Sequence, residues 1–187
     1  KQIQYIEKAV ATYPELIQGE VDICNMKKQP LWDATFESRL RAADVVLVTN
    51  MGVGLDSPFL ERLERWLYAH HPKYWIDVVE PKKTDILYRN IDVDQRTLLE
   101  SYRRTSGVMN YVRLINGAFS TKPTSEWEEP DHIPWQAIMG RDGNIYETYD
   151  EFMDAEGNRD WPSIAVYFYR DEWIMGDIYY QQALFEE

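Results

Sequence analysis

Two stretches of the chain carry residue types and spacings that could do chemistry. Tyr169 ends a short apolar run, residues 163–169, and Arg170, Asp171, Glu172 and Trp173 follow it before helical spacing begins at Asp177. The run is rich in β-branched and aromatic residues and reads as a buried strand; the segment after Asp177 reads as a helix. A polar, aromatic turn between them lies at the carboxyl end of a strand, where open α/β sheets hold their ligands. That makes Tyr169, Arg170 and Trp173 candidates for substrate contact. A plain strand-to-helix connection with solvated charges is the competing reading. The second stretch follows DVVLVT, within residues 43–50, and contains Gly52, Gly54, Asp56, Ser57 and Pro58. The glycines permit a tight turn, Asp56 or Ser57 can cap a helix, and Pro58 suits its first position. The free N–H groups and dipole of such a helix point back at the loop, so Gly52, Gly54 and Ser57 form a candidate anion-binding loop. The glycine spacing matches neither the dinucleotide fingerprint nor the Walker loop, and a bare structural turn remains the alternative.

Other reactive residue types lead nowhere comparable. His70 and His71 are adjacent at the end of an expected helix, whereas metal-binding pairs on a helix usually stand four residues apart. An interaction with the helix C-terminus explains them better. His132 is the third and last histidine. Asp92 and Asp94 stand where acids stabilise a helix start, which is the simpler account of that pair than a cation site. Asp150, Asp154, Glu156, Asn158 and Asp160 superficially resemble a calcium loop but lack its glycine and terminal Glu positions. Cys24 is the single cysteine; it has no disulfide or zinc partner, and its apolar run, residues 21–24, favours a buried thiol. No Ser-His-Asp, Cys-His or paired-His-plus-Glu arrangement stands at the spacing of a complete catalytic site.

The elements around these residues come from 187 residues, 44% hydrophobic and 14% aromatic, enough for one sizeable core or two small ones. A formal net charge of -12 argues against a nucleic-acid surface, which needs clustered Lys and Arg. Between Glu126 and Asp160, 11 acids face only Arg141 and Arg159, so that stretch carries -9 of the total. It belongs on a solvated face or in a loop. No apolar run approaches the ~20 residues of a membrane-spanning helix. The chain starts at Lys1 and stops within an apparent helix, and reads as a piece of a longer protein.

In chain order, Ile3, Ile6, Val10, Tyr13 and Ile17 predict an amphipathic helix broken near Pro14. Residues 20–25 are a short strand candidate, and 31–42 a helix with Asp33 near its start. Residues 43–50 have the signature of a central strand buried on both faces. Phe59, Leu63, Trp66 and Leu67 form the buried stripe of the next helix. Residues 74–79 predict a further strand. Leu98, Tyr102, Met109, Val112 and Ile115 mark one side of a helix interrupted near Gly107. Residues 120–134 read as a surface connection, 134–139 as a short strand, 141–144 as a turn, and Tyr146, Tyr149, Phe152 and Met153 as helical. The predicted fold class is α/β: an open, mostly parallel sheet with flanking helices, Rossmann- or flavodoxin-like. It divides into a first α/β unit at 1–119, an acidic connecting region at 120–161 and the start of a second α/β unit at 162–187.

The order of Phe168, Tyr169, Arg170, Trp173, Gly176 and Asp177, on a strand and then an amphipathic helix, resembles a segment in the amino-terminal half of the CobN and magnesium-chelatase large-subunit family. Residues 98–119, LLESYRRTSGVMNYVRLINGAF, are similar to the family's helix, glycine break and second helix, although Gly107 is the single glycine at the break. The resemblance implies an amino-terminal domain that frames a tetrapyrrole pocket without the catalytic residues. It implies cobalt or magnesium as substrate metal, ATP supplied through partner ATPase subunits, and haem handling in some relatives. No cofactor is expected in the fragment itself. The cytoplasm is the expected compartment, with a membrane anchor upstream still compatible. Broad apolar walls with a few polar groups suit a tetrapyrrole, and 7 Trp, 13 Tyr and Arg170 can provide them. Two other readings stand beside this one: an interaction domain that docks a partner subunit through its acidic face, and a small nucleotide- or phosphate-binding module centred on Gly52 and Gly54.

Overall fold

The computed structural model describes residues 2–24, 32–51, 58–79, 88–134, 136–140 and 144–155. Helix α1, Gln2–Thr12, buries Tyr5 and Ala9 and half-buries Ile6 and Val10. Pro14 opens a single 3-10 turn, Pro14–Leu16, which ends the helix as the sequence predicts. The strand expected at 20–25 is not formed over its described part, residues 20–24. Side chains hold this segment in place of a sheet ladder. Arg39 of α2, Ala34–Ala42, forms an ion pair with Asp22 at 2.5 Å and also donates to the Ile23 carbonyl at 3.4 Å.

That ion pair sets a pH dependence. The Arg39 hydrogen bond, opposed by slight burial and assisted by the attraction of its charge, holds the Asp22 carboxyl below its usual range. A lowered carboxyl pKa adds stability above the unfolded value of ~3.9, and that stability is lost as pH falls through the folded value. Asp22 is 60% exposed, so solvent screening limits the pair to no more than about 1 kcal/mol. We expect Asp22→Asn to lower the urea midpoint at pH 7 and to converge on the parent protein below pH ~3.9. A gap that persists undiminished at low pH would refute the pairing.

Asp33 caps α2, its carboxylate accepting from the Phe36 amide at 2.7 Å, and the helix buries Phe36 and Leu40. Strand β1, Val45–Met51, runs parallel to β2, Lys73–Val79, in a register that pairs Val45 with Lys73 and Met51 with Val79. Helix α3, Pro58–His70, connects them. Strand β3, Tyr88–Arg89, is a two-residue antiparallel partner of β2. The sheet order is thus β1-β2-β3, and among the described residues β1 lies at an edge, not at the centre as its β-branched run suggests. The run reports cover on both faces, and among the described side chains of β1 Val48 is buried while Val46 and Leu47 are half-buried. Val46 and Val48, with Tyr74 and Ile76 of β2, pack against α2 and α3; Leu47 and Trp75 pack on the opposite side. The stripe of α3 is Leu60, Leu63, Trp66 and Leu67, with Phe59 only partly buried beside Trp32 and Phe36.

Helix α4, Val93–Thr105, starts at Asp92, whose carboxylate accepts from the Asp94 amide at 2.9 Å, so Asp92 serves as the expected cap. Leu99 and Tyr102 of α4 and Leu114 of α5, Val108–Phe119, close the second face of the sheet around Trp75. The break between them falls where Gly107 predicts it, with Ser106 and Gly107 both at positive φ. The outer side of α5 carries Tyr111, Val112 and Ile115 against α1, and the Tyr5 and Tyr111 rings stack at 5.1 Å. Asn116 clasps α5 to the turn that follows α1: its Oδ1 accepts from the Gln18 amide and its Nδ2 donates to the Leu16 carbonyl, both at 2.8 Å. Residues 120–134 cross the surface with one 3-10 turn, Thr124–Glu126. Of the strand expected at 134–139, the described residues form β4, Ile138–Met139, which pairs antiparallel with β5, Ile145–Tyr146; Tyr146, expected to be helical, is held in this ladder, and α6 begins at Tyr149 and runs Tyr149–Ala155. The result is a mixed α/β fold of helices and a few short strands, without a large open parallel sheet among the described residues.

Candidate functional site

Parallel pairing in the observed register brings the carboxyl ends of β1 and β2, at Met51 and Val79, to one edge of the sheet. The chain leaves β1 at Met51 and enters α3 at Pro58, the helix position where proline's missing N–H costs nothing. The strand and the helix flanking the predicted anion-binding loop are therefore both present. Gly52, Gly54 and Ser57 themselves lie outside the described residues, as do Tyr169, Arg170 and Trp173.

At the other end of α3, the histidines take a structural role. The Trp66 carbonyl can only accept, so His70 donates to it from Nδ1 at 2.8 Å. Arg41 can only donate, so Nε2 accepts from it at 3.4 Å. The ring stacks on Trp66 at 4.1 Å. His70 thus satisfies a last-turn carbonyl of α3, the capping role expected from its position. His132 lies elsewhere, its Nε2 3.2 Å from Glu147 Oε1 on the surface. Among the described residues no three His, Cys, Asp or Glu side chains are grouped to hold a metal ion. Burial raises the Cys24 thiol above its ordinary range, which disfavours the thiolate a nucleophile needs.

Sequence reasoning missed a polar junction built around Asn110, which is fully buried. Its Nδ2 donates to the Ser106 carbonyl at 2.7 Å and the Asp131 carbonyl at 3.3 Å. Its Oδ1 accepts from the Asp131 amide at 2.9 Å and from Arg113 at 3.2 Å. Burial lowers the Arg113 pKa, but hydrogen bonds to Glu128 and Asp131, at 2.8 and 2.7 Å, outweigh this and raise it overall. Arg113 is thereby locked as a cation that fastens the acidic connection onto α5. An open groove of about 740 Å³ lies alongside, between Lys8, Thr12 and Tyr13, the first turn of α5, and residues 131–133. Its Asn110 wall has no hydrogen-bonding capacity left for a ligand. The only hint in the sequence is an Asn three residues beyond the glycine break, a signal too common to single out.

Glu126, Glu128, Glu129, Asp131, Glu147, Asp150, Glu151 and Asp154 are all exposed, as the charge pattern predicts. No helix among the described residues is long and apolar enough to cross a membrane. Comparison of the chain with protein-family models, with curated proteins and with solved structures finds no match to any of them.

Proposed function

We propose that this chain is an amino-terminal domain of a CobN-like tetrapyrrole chelatase and that it frames part of the macrocycle pocket without carrying the catalytic residues. The observation that supports this most is the parallel β1–β2 pair. It is joined through α3 and covered by helices on both faces, so its two carboxyl ends form one edge, the place where such sheets present ligands. In the proposed fold, which is Rossmann- or flavodoxin-like, residues 163–169 are the first strand of a second α/β unit. Tyr169, Arg170 and Trp173 then contact the macrocycle, and Gly52, Gly54 and Ser57 offer backbone N–H groups to a rim carboxylate. The metal inserted by the full protein, cobalt or magnesium, is substrate, and ATP is hydrolysed by partner subunits. The resemblance carried by Phe168, Tyr169, Arg170, Trp173, Gly176 and Asp177 supplies the chemical identity of the ligand.

The test is a titration of this chain with metal-free and metallated tetrapyrroles, followed by macrocycle absorbance and tryptophan fluorescence. Saturable binding is expected, weakened roughly tenfold or more by Arg170→Ala, as befits loss of a charge-assisted contact. Trp173→Ala should also weaken it. No binding by the folded parent protein would overturn the proposal.

The exposed acids from Glu126 to Asp154 favour a second reading, in which this face docks a basic partner subunit. Binding of that kind weakens as salt rises and is indifferent to added tetrapyrrole. Pull-down of purified ATPase subunits across a salt series, with and without macrocycle, separates the two readings.

A further inference from the structure

We draw no further inference here: the strongest candidate, the open groove between the end of α1, the first turn of α5 and residues 131–133, is a helix N-terminus beside side chains already paired within the protein, His132 with Glu147 and Asn110 with Ser106 and Asp131, and nothing in the structure points to a ligand seated there.

Discussion

Gly107→Ala is expected to lower the stability of the protein by about 2–4 kcal/mol, the combined effect of backbone strain and overpacking. Gly107 links α4 to α5 at φ 88 and ψ 145, a region open to glycine and costly for any residue with a side chain. A Cβ built there comes within 2.4 Å of Ile133 Cδ1. Ile133 is half-buried and lines the open groove, so a shift of its tip relieves part of this conflict. The two contributions separate in an Ile133→Ala background, where the steric conflict is absent and the substitution should cost only the backbone share, about 1–3 kcal/mol. Urea denaturation of the four proteins measures both shares. An alanine that costs nothing in either background would mean that the junction does not hold this conformation.

Asn110→Ala should be comparably damaging, at about 2–4 kcal/mol, because it empties a fully buried side-chain position and strips partners from several part-buried groups. The carbonyls of Ser106 and Asp131, the Asp131 amide and Arg113 all lose a hydrogen bond at once. Asn110→Asp is the sharper comparison. It keeps the shape, but an ionised carboxylate presents acceptors to the two carbonyls that Nδ2 now serves, so near neutral pH it should rescue little. Full rescue by aspartate would show that shape, and not donor chemistry, matters at this position. Gly107 and Asn110 serve the same junction, so their double variant should fall short of the sum of the single effects.

The parts of this fold legible in the sequence are those governed by local chemistry. DVVLVT reads as a strand, Asp33 and Asp92 read as caps, Pro14 as a helix end and Gly107 as a break, because each acts on its immediate neighbours. Position within the sheet depends on distant partners. A β-branched run looks the same at an edge as at the centre, and β3 consists of two residues held by their pairing with β2 and by the Asn90 side chain, which accepts from the Tyr74 amide and donates to the Pro72 carbonyl. The segment 20–24 alternates well enough for a strand, yet Arg39, 17 residues from Asp22, ties it to α2 instead. For the candidate site, the supporting strand and helix were foreseeable from β1 and α3, whereas Asn110 became visible only once Asp131 was brought against α5.

The clasp at Asn116 has a consequence for synthesis of the protein. Helix α1 is made before α5, yet α5 is the surface that covers Tyr5 and Ala9, and Gln18 meets Asn116 across 98 residues of sequence. At ~5–20 residues per second, translation leaves that apolar stripe uncovered for roughly 5–20 s. For that interval α1 lacks the surface it packs on, so its docking is a late event that awaits the arrival of α5.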